Sequence, residues 1–299
     1  MATFPTLNIG DTIGIMAPSN RTDRTKVDDA VKVLQSMGYK VKVHPQTHMQ
    51  FYSSAGTAKD KVDAFHELWA DPDVKAIMGA RGGNQSGEML TDINYKKIAA
   101  QPKILIGFSD VTSLLLAVNK HADIITFHGP LLNSILTMDQ GQLTQCFRLL
   151  SGHQKIIDLS GSQEIRGGQV QGRLIGGNLS VLCSLMGTPY QPDFDGALLF
   201  LEDIGDELSR INRFFLQLKL AGVFNKISGL IVGDFSHMTD TGRVLFERPV
   251  KDIIAHHTHG TPFPIVTDAP FGHNDELITL PVGAQATLTT SQNSKLTLS

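Results

Sequence analysis

The chain has 299 residues, 41% of them hydrophobic and 18% charged, with a formal net charge of −3; this exceeds the length one core usually supports, so two domains are expected. The charge balance leaves no electrostatic footprint for nucleic acid or an anionic membrane, and no stretch approaches the ~18 apolar residues of a membrane span. With neither a basic segment nor a long apolar run over residues 1–11, the expectations are a cytoplasmic location and a small-molecule or peptide ligand, with no nucleic-acid and no membrane partner.

In chain order, residues 12–17 read as a buried strand ended by Pro18-Ser19-Asn20, after which Val27, Ala30, Val31 and Leu34 recur at helical spacing up to Gly38. Residues 40–44 give a second strand. A helix follows Gly56-Thr57 with Val62, Phe65, Leu68 and Trp69 on one face, and Asp71-Pro72 stops it. A strand over 74–78, the loop Arg81-Gly82-Gly83-Asn84, a helix around 88–93, a strand over 104–106, a turn at Ser109, a helix to about Lys120 and a strand over 124–127 follow. This repeated β-α-β pattern predicts a parallel sheet covered by helices on both faces, with ligands at the carboxyl ends of its strands. From 151 to 171 the composition turns polar and glycine-rich, which predicts an N-terminal domain over 1–150, a linker over 151–171 and a second domain over 172–299. In the second domain Gly176-Gly177-Asn178 opens a helix, 197–201 and 227–232 read as strands around an amphipathic helix over 211–220, and β-like segments lie near Ile265, 277–280 and 286–288. That is a mixed α+β pattern.

The stretch Lys103 to Val118 runs an apolar strand through Gly107-Phe108-Ser109-Asp110 into an apolar helix. A serine at a strand-to-helix turn stands clear of the sheet, with the first helix amides ready for an oxyanion, so Ser109 is a candidate nucleophile. The second glycine of a full nucleophile elbow is replaced by Val111, and a Ser-Asp helix N-cap is the competing reading. A serine nucleophile needs a base and an orienting acid. Of eleven histidines, His273 lies in the turn-rich loop Asp268-Ala269-Pro270-Phe271-Gly272-His273-Asn274 and is the first candidate base. His128 in Phe127-His128-Gly129-Pro130 ranks second, chiefly as a structural or substrate contact. Glu202 ends the apolar run 197–201 and is the candidate acid, with Asp203 as its competitor. Ala80-Arg81-Gly82-Gly83-Asn84-Gln85-Ser86-Gly87 lacks the ending and the glycine spacing of a phosphate loop. It serves a close backbone approach better, with an amide of Gly82 or Gly83 joining that of Asp110 as oxyanion donors and Arg81 pairing with a substrate carboxylate. His256-His257-Thr258-His259 ends a helical stretch without a zinc-ligand pattern, so no metal and no cofactor are expected. Cys146 and Cys183 are expected as core thiols.

Taken in order, Gly10-Asp11-Thr12-Ile13-Gly14-Ile15, Ala17-Pro18-Ser19, Ala70-Asp71-Pro72-Asp73-Val74-Lys75-Ala76-Ile77, Ala80-Arg81-Gly82-Gly83, Gly107-Phe108-Ser109-Asp110, His128-Gly129-Pro130, Gly176-Gly177-Asn178-Leu179-Ser180, Gly187-Thr188-Pro189-Tyr190, Leu201-Glu202-Asp203 and Phe271-Gly272-His273 resemble the LD-carboxypeptidases, the S66 type of serine peptidase. The resemblance spans nearly the whole chain. It implies an α/β fold with a flavodoxin-like or glutamine-amidotransferase-like parallel-sheet N-terminal domain, a smaller β-rich α+β swivelling C-terminal domain, and an active site between them. It also implies a Ser-Glu-His triad, which falls on Ser109, Glu202 and His273, a homodimer, and removal of the terminal D-alanine from the cytoplasmic muropeptide L-Ala-γ-D-Glu-meso-diaminopimelate-D-Ala in cell-wall recycling. Many members carry Arg-Gly-Gly-Tyr-Gly where this chain has Arg81-Gly82-Gly83-Asn84-Gln85, a departure that bears on substrate detail. A sister branch, the microcin C7 self-immunity peptidases, cleaves peptidyl-nucleotide conjugates and stacks the base on aromatic rings. The single tryptophan, Trp69, falls on a packing face and the Arg-Gly-Gly form is more typical of the muropeptide branch, so a muropeptide substrate is favoured. The alternative from another class is a non-catalytic protein with two lobes closing on a small ligand.

Overall fold

The computed structural model describes residues 5–274, 276–291 and 293–299. The first half runs β1 (Thr12–Met16), α1 (Arg24–Ser36), β2 (Lys40–Val43), α2 (Ala58–Ala70), β3 (Val74–Gly79), α3 (Tyr95–Ala100), β4 (Ile104–Gly107), α4 (Thr112–Ala122), β5 (Thr126–His128) and α5 (Gln140–Leu150). The second half runs β6 (Ile156–Asp158), β7 (Gln163–Arg166), β8 (Gln169–Asn178), α6 (Leu179–Leu185), β9 (Leu198–Ile204), α7 (Leu208–Leu220), β10 (Gly229–Ser236), α8 (Val250–His257), β11 (Ile265–Thr267), β12 (Leu280–Val282), β13 (Gln285–Thr289) and β14 (Lys295–Leu298). The chain divides into two compact units: residues through Gln154 with Ile278–Gly283, and Lys155–Leu277 with Ala284–Ser299.

The first unit is built on a six-stranded sheet in the order β12-β5-β4-β3-β1-β2. The five strands from β5 to β2 are parallel, and β12 adds an antiparallel edge, pairing Leu280 with His128. Local chemistry sets the helices. Asp23 caps α1 by accepting from the Thr25 amide, and Thr57 and Asp60 form a reciprocal capping box on α2. Trp69 is 2% exposed, its indole N–H donating to the carbonyls of Ile98 and Gln101. Helix α4 buries Leu114, Leu115, Leu116, Ala117 and Val118, so it is apolar around most of its circumference, as a central helix must be.

The second unit has an eight-stranded sheet in the order β6-β14-β13-β8-β9-β10-β11-β7. Strands β8, β9, β10 and β11 are parallel in its middle, and the pairs outside them are antiparallel. The α/β class expected from the sequence is the one observed, and several local expectations are corrected. The stretch 151–171, expected as a linker, supplies β6 and β7, which are the two edge strands of this sheet; edge strands tolerate the polar composition that suggested a linker. Residues 86–92 form a 3-10 turn rather than an α-helix. Strand β9 continues to Ile204, so Glu202 and Asp203 lie within a strand and not at the start of a loop. Segment Ile278–Gly283 belongs to the first unit, where β12 closes the sheet edge, and β14, whose Lys-Leu-Thr-Leu alternates outward and buried positions, is a strand beyond those expected.

Candidate active site

The nucleophile candidate sits where β4 meets α4. All four residues of β4 are buried, and a 3-10 turn over Ser109–Val111 leads into the helix at Thr112. Ser109 has φ +61°, a left-handed conformation that costs a non-glycine residue about 1 kcal/mol or more and concentrates at functional sites. The turn is therefore a strained elbow and not a relaxed cap; Phe108 occupies the cap position and makes no side-chain cap bond. Val111, standing where the full elbow motif has glycine, is accommodated by Gly107, since a Cβ on Gly107 would lie 2.9 Å from Val111 Cγ1.

The loop after β3 lies against this serine. A Cβ placed on Gly82 would stand 3.1 Å from Ser109 Oγ, so glycine there lets the backbone reach the hydroxyl. The Gly82 carbonyl accepts from the Asn20 amide at 3.3 Å, and in a trans peptide this turns the Gly83 N–H the opposite way. Gly83 has φ +153°, and a Cβ on it would fall 2.5 Å from Ser19 Oγ. Asp110 anchors the far side of the loop: its Oδ2 accepts from the amides of Gln85 at 2.9 Å and Ser86 at 2.8 Å. Ser86 Oγ donates to the Asp110 carbonyl at 2.6 Å and meets Ser113 Oγ at 2.8 Å. The sequence singled out Asp110 for its amide; its carboxylate does a second job that no local pattern signals. Arg81 is exposed and donates to the Arg21 carbonyl at 3.1 Å, and among the described residues it makes no salt bridge.

The second unit brings the other two candidates together. Glu202 is 0% exposed, and its Oε2 lies 2.7 Å from His273 Nδ1. A carboxylate only accepts, so Nδ1 carries the hydrogen and Nε2 is the basic nitrogen. The His273 side chain is 14% exposed. Its loop is clamped from below: Asp234 N–H donates to the Phe271 carbonyl at 2.8 Å, Ala269 N–H to Val232 at 3.0 Å, and the buried Phe271 ring meets Phe200 edge-on at 5.8 Å. Asp203, the competing acid, points elsewhere. It accepts from Asn178 Nδ2 at 3.0 Å and from the amides of Ser180 at 2.9 Å and Ile204 at 2.8 Å, fixing the start of α6. Burial, with the Glu202 charge beside it, raises its pKa to about 6.

Other candidates resolve as structural. His128 is 0% exposed within β5, edge-on to Phe108 at 5.9 Å, which removes it as a base. His257 ends α8 buried against Phe215, its Nε2 2.9 Å from Asn212 Oδ1. Among the described residues no group of three or more His, Cys, Asp or Glu side chains gathers as a metal site would. Cys146 and Cys183 are free, buried thiols, both pushed up to about 12 by burial.

Comparison with known proteins identifies the family. The chain matches the LD-carboxypeptidase N-terminal domain over residues 13–129 and the LD-carboxypeptidase C-terminal domain over residues 171–288. It is 33% identical over 294 residues to the Bacillus subtilis protein named "Probable murein peptide carboxypeptidase", covering 96% of this chain and 91% of that one. The structure of MccF in complex with glutamyl sulfamoyl guanosine superposes with a TM-score of 0.91 at 26% identity, covering 99% of this chain and 98% of the other. The muramoyltetrapeptide carboxypeptidase from Oxalobacter formigenes superposes with a TM-score of 0.87 at 29% identity, covering 96% and 98%. The chain belongs to the LD-carboxypeptidase family and is a serine carboxypeptidase, a hydrolase and not a non-catalytic binding protein.

Proposed function

We propose that this enzyme removes the terminal D-alanine from the muropeptide L-Ala-γ-D-Glu-meso-diaminopimelate-D-Ala, with Ser109, His273 and Glu202 as its triad. The observation that carries the chemistry is the fully buried Glu202 carboxylate 2.7 Å from His273 Nδ1, the orienting pair a serine nucleophile requires. Ser109 Oγ attacks the carbonyl before the terminal D-residue while His273 Nε2 takes its proton. The tetrahedral oxyanion is held by the amides of Asp110 and of Gly82 or Gly83. His273 then protonates the leaving amine of D-alanine, and a water, deprotonated by His273, hydrolyses the acyl-enzyme and restores the serine. Glu202 stabilises the imidazolium formed in each half. Arg81, exposed beside this loop, is the proposed partner for the free carboxylate of the substrate.

The muropeptide assignment draws support from the names of the relatives in Bacillus subtilis and Oxalobacter formigenes. A role in cytoplasmic peptidoglycan recycling and a homodimeric state belong to the same reading. The likeness to MccF favours one second reading, cleavage of a peptidyl-nucleotide conjugate. Trp69 speaks against it, because a ring 2% exposed cannot stack on a base. Both readings meet in one assay: the tetrapeptide and a peptidyl-nucleotide conjugate are compared at equal concentration. At least tenfold higher kcat/KM on the tetrapeptide is expected. The reverse ratio would transfer the enzyme to the nucleotide branch. Light scattering on the purified protein tests the dimer, which predicts twice the chain mass.

A further inference from the structure

Helix α2 carries a lysine where its covered positions are otherwise apolar. Lys61 is 0% exposed, alongside the buried Val62, Ala64, Phe65, Leu68 and Trp69 of the same helix. Covering an ammonium is strongly unfavourable unless hydrogen bonds and opposite charge offset it. Lys103, 6% exposed, shows what a well-served buried lysine looks like: its Nζ donates to the carbonyls of Asp71 and Val74. Lys61 is served differently. Its hydrogen bond to the Gln85 carbonyl is 3.5 Å long, at the outer limit for such a bond. Burial lowers its pKa, opposed by the charges of Glu88 and Asp110.

Those neighbours are the ones that shape the loop beside Ser109. The Gln85 carbonyl faces the Lys61 ammonium, while the N–H of the same peptide, that of Ser86, donates to Asp110 Oδ2 at 2.8 Å; the Gln85 amide donates to the same oxygen at 2.9 Å and approaches Ser19 Oγ at 3.3 Å. One peptide group of the loop thus lies between a covered cation on one side and the Asp110 carboxylate on the other. Asp110 is the residue after the nucleophile, and Gln85 is two residues past Gly83. A methionine in place of Lys61 would fill the same space without the desolvation cost, so the ammonium is a poor choice for stability alone.

We propose that Lys61 is a positioning residue: its buried ammonium, acting with Asp110, holds the Gln85 peptide so that the Gly82-Gly83 backbone stays against Ser109 in the geometry an oxyanion needs. The proposal rests on Ser109 being the nucleophile. It predicts that one substitution lowers activity without lowering stability, which a purely structural lysine does not.

The test is Lys61→Met in the full-length enzyme, with three readouts: thermal midpoint, kcat and KM for D-alanine release from the tetrapeptide, and the rate at which a fluorophosphonate labels Ser109. The expected result is an unchanged or higher midpoint, a kcat at least tenfold lower with KM within twofold, and labelling slowed by a similar factor. Turnover and labelling within twofold of wild type overturn the proposal. So does a lowered midpoint with activity lost in proportion to unfolded protein, because that is the behaviour of a structural lysine. The labelling arm separates the two levels: wild-type enzyme that resists labelling at Ser109 refutes the nucleophile itself, whereas equal labelling of both forms refutes only the role of Lys61.

Discussion

Replacing Glu202 by glutamine perturbs the proposed orienting acid while keeping its shape. In the native enzyme Oε2 accepts from His273 Nδ1 at 2.7 Å, and Oε1 is buried with no hydrogen-bond partner among the described residues. A glutamine has two ways to sit. With its amide N–H₂ toward His273, Nδ1 must become the acceptor, so the ring proton moves to Nε2 and the imidazole loses its capacity as a base. With its carbonyl toward His273, the N–H₂ takes the place of Oε1 and buries donors without an acceptor, a cost of about 1–3 kcal/mol. The first arrangement is therefore favoured. An acid-to-amide change that imposes the wrong tautomer in such a triad costs about 10⁴ in kcat, and losing only the charge of the acid costs less, so a fall of about 10²–10⁴ is expected, about 3–5 kcal/mol in the barrier. Folding should change little, because the lost charged hydrogen bond, about 1.5–3 kcal/mol, is largely offset by no longer burying a carboxylate. The assay is D-alanine release under saturating tetrapeptide, with circular dichroism to verify folding. A folded Glu202→Gln enzyme with kcat within threefold of wild type would refute the reasoning.

Two further outcomes follow from positions around the site. Gly83→Ala introduces a Cβ at φ +153°, 2.5 Å from Ser19 Oγ, and should cost about 1–3 kcal/mol of stability in urea unfolding together with much of the activity; a stability change under about 0.5 kcal/mol would mean that the loop relaxes freely. Asp203 makes stability depend on pH with a definite sign. Its pKa is about 6 in the fold against 3.8 for an ordinary aspartate, so between these values the folded state binds more protons than the unfolded chain and stability falls as pH rises through about 6. The loss is on the order of 2–3 kcal/mol, read as the difference between wild-type and Asp203→Asn unfolding curves at pH 4 and pH 7, and parallel curves would contradict it.

What the sequence made legible was what local chemistry encodes. The strand-turn-helix around Ser109 and the apolar face of α2 follow from periodicity and capping. Glu202 and His273 stood out because acids and histidines at strand ends and in turn-rich loops are presented by a rigid scaffold, although β9 proved to carry Glu202 inside the strand. What stayed hidden needs three dimensions. Gly82 meets Ser109 only because β3 and β4 are neighbours in the sheet. The Asp110 carboxylate, read as a helix-start residue, reaches 25 positions back to Gln85, and the charge of Lys61 gave no sign of being covered. Segments 151–171 and 278–283 were misplaced for a related reason: edge strands are short, polar and specified by their partners more than by their own pattern.

The central claim is that Ser109 is the nucleophile of an L,D-carboxypeptidase, and D-alanine release by wild-type and Ser109→Ala enzymes from the tetrapeptide tests it most directly. The account predicts steady release by the wild type and a loss of at least about 10³-fold in the variant, with folding intact. Equal release by the two proteins, or none by the wild type, would contradict it.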